Sequence, residues 1–285
     1  MYTTLISVSQ LQQLRADSQP LMVFDCSFEL MQPQAGDAQY QEAHIAGAVR
    51  ADLDRHLSAK GAVDAASGGR HPLPSRDAFA AWLGQVGFMP DMQAVVYDRQ
   101  GVNYCGRLWW MLKWAGHEAV AVLDGGLQAW LAAEGATETG AGPERQAGAY
   151  KPGSPRAVLA STDTVLGHLG RPIQTLVDAR GAPRFRGEVE PLDPVAGHIP
   201  GALNRPFTDN FGPDGRFKSA SQLRAEFEAL LASRDPASVV HHCGSGVSAV
   251  PNLIAMEVAG LGRAALYAGS WSAWCSDPSR PFAKG

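Results

Sequence analysis

The sequence contains few cysteines, no long apolar run and no cluster of charges of one sign. Its four cysteines form no Cys-x-x-Cys pair, which excludes a zinc framework and a dense disulfide scaffold. No apolar stretch is long enough to cross a bilayer, and no run of Lys or Arg indicates a nucleic-acid or membrane partner. The first 17 residues lack the basic start and the cleavage site of a signal peptide. With 18% charged residues and a net charge of −4, we expect a cytoplasmic globular protein.

Two common anion-binding loops are also missing. No Gly-Lys-Ser or Gly-Lys-Thr is present, which excludes a Walker A nucleotide loop. A cysteine phosphatase needs an Arg six residues after its cysteine, because a guanidinium must clamp the phosphoryl oxygens. Cys243 is followed at that distance by Ala249. Phosphatase chemistry is therefore disfavoured.

What the sequence does contain is one pattern written twice. Asp25 and Asp178 each end a short apolar run, and His44 and His198 each lie in a Gly/Ala-His-Ile-x-Gly-Ala segment. The matched residues keep the same order at nearly constant spacing, which is typical of an internal repeat. The spacing shortens toward the C-terminus, so the first copy has the longer middle. We assign its extra residues to a loop near 53–71, which is rich in Gly, Ser and Asp.

Each copy alternates short apolar runs with segments of helical periodicity. The predicted strands include 21–24, 94–97, 176–177 and 238–240, and the predicted helices include 79–86 and 223–231. A capping box is predicted to start at Ser9. This alternation predicts an α/β protein with two tandem domains, each a central parallel sheet flanked by helices. We expect domains at 1–140 and 159–285, joined by a linker at 141–158.

Cys243 stands where an apolar strand gives way to a glycine-rich loop. Gly244 and Gly246 permit a tight turn with inward amide groups, and a helix is predicted at 247–258. Amide donors and the helix dipole favour an anion, so the loop suits a thiolate or a persulfide. A buried structural cysteine beside a nucleotide-binding loop is the alternative. Asp98 occupies the matching position of the first copy, so only the second copy is predicted to be catalytic.

Four motifs carry a resemblance to a known family. They are Cys243-Gly-Ser-Gly-Val-Ser-Ala, the two His-Ile-x-Gly-Ala segments, Asp178-Ala-Arg and Gly269-Ser-Trp-Ser-Ala-Trp. Together they resemble tandem-domain rhodanese-family sulfurtransferases over nearly the whole chain. The cysteine loop is similar to the 3-mercaptopyruvate type, with Ser248 where that type has Thr. The resemblance implies a persulfide on Cys243 and no metal or organic cofactor. The acceptor it implies is either a thiol, such as that of thioredoxin, or cyanide.

The resemblance also implies which residues bind the sulfur donor. In the loop they are Gly244, Gly246, Val247 and Ser248. The family uses two arginines in the segment before Gly-His-Ile, and Arg184 matches the first. The second falls at Leu192, which departs from the family pattern, and Arg186 is the nearby substitute. Arginine suits this task because its planar fork matches a carboxylate.

By the same resemblance, Ser245 joins His71 and Asp54 of the first copy in a triad at an active site between the domains. A neutral imidazole could relay protons as the donor's C–S bond breaks, with Asp54 fixing its tautomer. His71 and Asp54 as ordinary loop residues are the alternative. His44 and His198 occur in both copies, including the one without a thiol, and are predicted to be structural. Two other functions stay open, namely thiosulfate:cyanide transfer through Cys243 and a non-catalytic persulfide carrier.

Overall fold

The computed structural model describes all 285 residues, which form two compact units. The first unit comprises Met1–Asp64, Pro74–Arg156 and Pro213–Arg216, and the second comprises Ala65–Leu73, Ala157–Gly212 and Phe217–Gly285. The segment 65–73 therefore packs with the second half of the chain, although it belongs to the long loop of the first copy. The domain limits expected from the sequence stay a prediction. No helix has the length and apolar character needed to cross a membrane.

The first unit contains one parallel sheet and five helices. Its strands are β1 (Leu5–Ile6), β2 (Leu21–Asp25), β3 (His44–Ile45), β4 (Val49–Arg50), β5 (Gln93–Tyr97), β6 (Val120–Leu123) and β7 (Thr137–Glu138). Its helices are α1 (Val8–Ala16), α2 (Ala35–Glu42), α3 (Arg76–Gln85), α4 (Cys105–Trp114) and α5 (Gly126–Ala132). The sheet runs in the order β1-β6-β5-β2-β4 with all pairs parallel, while β3 and β7 form a separate antiparallel pair.

The second unit repeats this arrangement. Its strands are β8 (Val158–Leu159), β9 (Thr175–Asp178), β10 (Leu203–Asn204), β11 (Val239–His242) and β12 (Ala265–Leu266). Its helices are α6 (Thr162–Gly167), α7 (Ala182–Phe185), α8 (Ala220–Leu231), α9 (Val250–Val258) and α10 (Ser270–Trp274), with 3₁₀ turns at Phe207–Asn210 and Pro236–Ser238. The order β10-β9-β11-β12-β8, again all parallel, matches that of the first sheet. The predicted class, two α/β domains with parallel sheets, is confirmed.

The central strand of each sheet is fully buried. Every residue of β5 and of β11 is buried, as expected for a parallel strand covered on both faces. In the second unit, Trp271 and Trp274 pack with Leu176 and Val240 in the core. Because β11 is central and ends at His242, the following Cys243 lies at the carboxyl edge of the sheet, where open α/β folds place their chemistry.

Two local predictions are corrected. The capping box of α1 starts at Ser7, which accepts from the Gln10 amide while Gln10 caps in return, and does not start at Ser9. The helix after the cysteine loop begins at Val250, because Gly246 adopts a left-handed φ of 76° and the chain stays a turn until Pro251 enters the first helical turn. Residues 53–71 contain no helix or strand, which confirms the predicted loop.

Candidate active site in the second unit

Both backbone polar groups of Cys243 are hydrogen-bonded to the start of α10. Its amide donates to Ser270 Oγ at 3.0 Å, and its carbonyl accepts from the Trp271 amide at 3.0 Å. The residue is only 2% exposed. The start of α10 therefore holds the backbone that carries the sulfur.

One amide of the loop points directly at the sulfur. The Gly246 amide donates to Cys243 Sγ at 3.2 Å. Gly246 takes a φ of 76°, and a methyl group there would lie 2.2 Å from the carbonyl oxygen of Ala268, so only glycine fits. An amide donor aimed at sulfur stabilises its anionic form more than its thiol form. Val247 is buried behind this turn, and Ser248 is half-buried.

His71 and Ser245 are brought together. His71 Nδ1 lies 2.8 Å from Ser245 Oγ, and both residues belong to the second unit. They are 2% and 7% exposed, so the pair is shielded from bulk water. The tautomer of the ring decides which of the two atoms donates. Two members of the predicted triad are thus adjacent in space. One of them, Ser245, is two residues after the cysteine in the chain.

Asp54, the third predicted member, belongs to the first unit. Its Oδ1 lies 2.6 Å from Lys60 Nζ, and its amide donates to Asp52 Oδ1 at 2.9 Å. The side chain is 23% exposed. The role of Asp54 toward His71 stays a prediction.

Of the two predicted donor-binding arginines, Arg184 borders the cysteine loop. A methyl group built on Gly244 would lie 3.5 Å from Arg184 Nη1. The guanidinium is oriented by Glu190, whose Oε1 accepts from Nη2 at 2.5 Å and whose Oε2 accepts from Nε at 3.2 Å. Arg186 instead forms an exposed pair with Glu188, at 2.6 Å from Nε to Oε1. The role of Arg186 as the substitute for the missing arginine stays a prediction.

Three residues of this site were missed by sequence reasoning. Arg70 donates from Nη1 to Asp193 Oδ1 at 2.5 Å, and its Nη2 lies 3.1 Å from a methyl group built on Gly244. Burial raises the pKa of Asp193, and the positive charge of Arg70 opposes that rise. Ser270, at a φ of 56°, is the third. The one sequence signal for it was that the matching residue of the first copy, Gly126, is a glycine, and in the structure Gly126 has a φ of 58°.

Asp178 and Arg180 form an ion pair that joins a longer network. Arg180 Nη2 donates to Asp178 Oδ2 at 2.7 Å, and its Nη1 donates to Glu190 Oε2 at 3.2 Å. Burial alone would lower the pKa of Arg180, but the Asp178 carboxylate and its hydrogen bonds raise it. Through Glu190 this buried pair supports Arg184, so the sheet edge orients the side chains beside the cysteine.

The matching loop of the first unit carries a carboxylate in a ring of amides. Asp98 Oδ1 accepts from the amides of Gln100 and Val102 at 3.0 Å, and Oδ2 accepts from Tyr104 and Cys105 at 2.8 and 2.9 Å. Burial raises the pKa of Asp98, and the four amide hydrogen bonds oppose that rise. The Asp98 carboxyl group therefore fills this loop, which carries no thiol at that position.

The other three cysteines lie outside the cysteine loop. All four cysteines are free, and burial raises the pKa of the Cys26, Cys105 and Cys275 thiols, which disfavours their thiolates. No group of three or more His, Cys, Asp or Glu side chains is arranged to hold a metal ion.

The repeated histidines have the predicted structural role. His44 Nδ1 lies 2.8 Å from the Tyr40 carbonyl and its ring stacks on Tyr40 at 3.9 Å. His198 repeats this arrangement with Phe185, at 2.8 Å and 3.8 Å. Each ring fastens a turn to the preceding helix, so the equal geometry in the two units reflects folding and not catalysis.

Comparison with known proteins explains the repeat. The model of the rhodanese-like domain matches the chain twice, over residues 7–133 and 161–277. The chain belongs to the rhodanese family. This rhodanese-family protein is 48% identical over 277 residues to a Pseudomonas aeruginosa protein named "Probable 3-mercaptopyruvate sulfurtransferase", with 96% of each chain covered. The SseB protein of Mycobacterium tuberculosis, whose name refers to thiosulfate, is 37% identical over 99% of this chain and 97% of its own.

A solved structure agrees with the fold. SseA from Escherichia coli, described as a 3-mercaptopyruvate sulfotransferase, superimposes with a TM-score of 0.79 at 29% identity. The superposition covers 95% of this chain and 100% of SseA. Members named for either sulfur donor are thus similar to this rhodanese-family protein over nearly its whole length.

Proposed function

We propose that this protein is a sulfurtransferase that takes the sulfur of 3-mercaptopyruvate onto Cys243 as a persulfide. The acceptor is a thiol, such as that of thioredoxin, or cyanide. The observation that carries the proposal is the position of Cys243 Sγ, which accepts from the Gly246 amide one residue away from the His71–Ser245 pair. Relatives named for 3-mercaptopyruvate, at up to 48% identity over 96% of the chain, support the choice of donor.

In the first half of the proposed reaction, the Cys243 thiolate attacks the sulfur of 3-mercaptopyruvate. A sulfur–sulfur bond forms, the carbon–sulfur bond breaks, and its electron pair leaves as the enolate of pyruvate. In the second half, the acceptor thiolate or cyanide attacks the outer sulfur and restores the Cys243 thiolate. This double displacement requires no metal or organic cofactor, because the cysteine itself carries the transferred atom.

The His71–Ser245 pair is proposed to supply the proton that the enolate carbon needs. A hydroxyl hydrogen-bonded to an imidazole at 2.8 Å can pass a proton and regain it from the ring. Asp54 remains the proposed acid that fixes the ring's tautomer. The low exposure of the pair keeps bulk water from competing for the same proton transfer.

The matching loop of the first unit is a precedent for an anionic persulfide on Cys243. Each carboxylate oxygen of Asp98 follows Cγ, just as the outer sulfur of a persulfide follows Sγ. Four amides donate to those oxygens. Asp98 matches Cys243 in the repeat, so the same turn in the second unit is suited to receive the outer sulfur of Cys243 as an anion.

Arg184, with the loop residues Gly244, Gly246, Val247 and Ser248, is proposed to bind the donor. The Arg184 guanidinium borders Gly244, and its fork matches the donor's carboxylate. Arg186 forms its pair with Glu188 at the surface and is proposed to have no contact with the donor.

Thiosulfate is the second candidate donor, because a relative at 37% identity is named for it. We separate the two by measuring kcat/KM for each donor with cyanide as the common acceptor. A higher value for 3-mercaptopyruvate is expected, and a higher value for thiosulfate would overturn the donor assignment. Mass spectrometry of Cys243 after incubation with donor tests the carrier alternative, because a persulfide that forms but never turns over identifies a carrier.

We also propose a cytoplasmic location. All four cysteines are free, including the partly exposed Cys275, which is typical of proteins in a reducing compartment. Fractionation of cells that express the chain checks this, and recovery in a secreted or periplasmic fraction would contradict it.

A further inference from the structure

A cavity of about 540 Å³ lies at the amino ends of the strands in the second unit. Its lining includes Thr175 and Leu176, which begin β9, and residues 233–235, which precede the 3₁₀ turn that leads into β11. Cys243 follows the carboxyl end of β11. Because β11 runs for 4 residues, at about 3.3 Å each, the cavity and the cysteine lie at opposite edges of the same sheet. The cavity is therefore separate from the site around Cys243.

Two arginines line this cavity, and no carboxylate pairs with either of them. Arg171 is exposed, and its guanidinium forms no hydrogen bond or ion pair within the protein. Arg234 is also exposed, and its guanidinium donates only to the Leu231 carbonyl, at 3.4 Å from Nη1. The one carboxylate in the lining, that of Asp235, accepts from the Ala237 amide at 2.9 Å and caps the following 3₁₀ turn. The lining therefore carries a net positive charge, and its guanidinium donors are free to pair with an anion.

An amide oxygen in the same lining has no donor. Gln174 Nε2 donates to the Val165 carbonyl at 3.0 Å, which fixes the orientation of the side-chain amide. Gln174 Oε1 is buried and accepts no hydrogen bond from the protein. Because an unpaired buried acceptor costs free energy, a ligand that offers an O–H or N–H group to this oxygen is favoured.

Hydrogen bonds hold the lining in place without a ligand. The Arg171 amide donates to the His168 carbonyl at 3.0 Å, and the Arg171 carbonyl accepts from the Gln174 amide at 3.1 Å. On the side of the strands, Thr175 Oγ1 lies 3.0 Å from Ser238 Oγ, which ties the start of β9 to the turn before β11. A lining that is already ordered lowers the entropy cost of binding.

Four apolar residues also line the cavity, namely Leu169, Pro172, Leu176 and Pro200. Sites for small organic molecules typically have volumes of about 300–1,000 Å³ and combine an apolar lining with a few polar groups. The volume and the apolar residues suit a ligand with an apolar body. The two guanidinium groups require that this ligand also carries a negative charge.

We propose that this cavity binds a small organic anion, in which a phosphate or carboxylate pairs with Arg171 and Arg234 while a hydroxyl or amino group donates to Gln174 Oε1. The site is an addition to the sulfur-transfer site. It stands independently of the proposed function, because none of its residues belongs to the cysteine loop or contacts the sulfur donor in the proposed reaction.

The test measures binding to the full-length protein by isothermal titration calorimetry with two probes. Adenosine monophosphate supplies a phosphate, and phenyllactate supplies a carboxylate, while both carry hydroxyl groups and an aromatic ring. At least one probe should bind with a Kd of about 1 mM or lower. Binding of one and not the other distinguishes a phosphate ligand from a carboxylate ligand.

Variants assign the binding to the cavity. Arg171→Ala and Arg234→Ala should each raise Kd about tenfold, because a charge-assisted hydrogen bond is lost. Gln174→Met, which keeps the length of the side chain but not the acceptor, should raise Kd about threefold or more. Arg224→Ala, which removes an exposed arginine of α8 outside the cavity, is the control and should leave Kd unchanged. Sulfur transfer by the two cavity arginine variants should stay within about twofold.

Three results would overturn the inference. The first is that neither probe binds at concentrations up to about 10 mM. The second is binding that is unchanged in both Arg171→Ala and Arg234→Ala, which would place the probe elsewhere on the protein. The third is a loss of sulfur transfer in these variants that matches their loss of binding, which would make the cavity part of the sulfur-transfer site. Failure of the proposed function is distinguishable, because calorimetry of this cavity does not depend on sulfur transfer.

Discussion

His71 Nδ1 and Ser245 Oγ lie 2.8 Å apart, although the two residues are separated by 174 positions in the chain. Ser245 is in the cysteine loop, and His71 is in a segment that the first copy carries and the second copy lacks. The long loop of the first copy therefore brings an imidazole to the cysteine loop.

Ser245→Ala should lower kcat for 3-mercaptopyruvate about 100-fold, the size expected for losing a positioned proton donor. His71→Gln should give a similar loss, and the double variant should be little worse than either single one, because the two residues act as a unit. Steady-state kinetics measure this, with Ser221→Ala, an exposed serine of α8, as the control. Unchanged turnover in Ser245→Ala would remove the proton relay from the mechanism.

Ser270 should be more than a strained turn residue. Its hydroxyl accepts from the Cys243 amide and donates to the Tyr267 carbonyl at 2.9 Å, at a φ of 56°. Ser270→Ala keeps the strained φ and leaves the buried Cys243 amide unpaired, at a cost of about 1–3 kcal/mol. Ser270→Gly loses the same bond but relieves about 1 kcal/mol of left-handed strain.

Urea unfolding should therefore rank the unsubstituted protein first, Ser270→Gly second and Ser270→Ala last. Both variants should also load sulfur onto Cys243 more slowly, because the backbone that positions the sulfur is loosened. An alanine variant as stable as the glycine variant would show that the left-handed turn stores no strain.

Two histidines outside the site should stay neutral in the folded protein. Burial lowers the pKa of His56 to about 4 and that of His241 to about 3. In the unfolded chain each pKa is about 6.5. Below that pH these two histidines are protonated in the unfolded chain but stay neutral in the folded protein. The free energy of unfolding should then fall by up to about 1.4 kcal/mol per pH unit for each histidine, until the folded rings titrate.

Ring-proton NMR between pH 7 and pH 5 checks this directly, with His56→Gln assigning one of the two resonances. Urea unfolding of that variant over the same range should show a shallower loss of stability with falling pH. A resonance of either ring that titrates near pH 6 would contradict the account.

Asp98→Asn should damage the first unit without touching the chemistry. The amide side chain replaces one acceptor oxygen with a donor that faces two backbone amides, for a loss of about 2 kcal/mol or more. Thermal unfolding should detect the destabilisation, while kcat for sulfur transfer in the folded variant should stay within about twofold. A folded Asp98→Asn protein with no transfer activity would show that this loop takes part in the reaction.

Much of the fold was predictable because its signals are local. Short apolar runs ending at Asp25 and Asp178 fixed the positions of β2 and β9, and the repeat fixed the common strand order. The start of α9 was misplaced by three residues, since Val247 and Ala249 have apolar side chains that suit a helix while the preceding glycine holds the chain in a turn. Periodicity does not report the φ of a neighbouring residue.

The site was predictable only where a motif carried it. Cys243, Ser245 and Arg184 stand in segments with recognisable spacing. Arg70 has no such signal, because its partner Asp193 is 123 residues away and only the folded chain brings them together. Nearness in sequence favoured Arg186 as the substitute for the missing arginine, but its carboxylate partner Glu188 pairs with it at the surface.

The most direct test uses a variant in which Cys26, Cys105 and Cys275 are replaced by alanine, so that Cys243 is the only thiol. The variant is incubated with 3-mercaptopyruvate without acceptor, and its mass and peptide map are recorded before and after cyanide is added. The account predicts a gain of one sulfur atom on the Cys243 peptide and its loss to cyanide. A variant that still produces pyruvate but never carries sulfur at Cys243, or one that gains sulfur after Cys243→Ser as well, would contradict it.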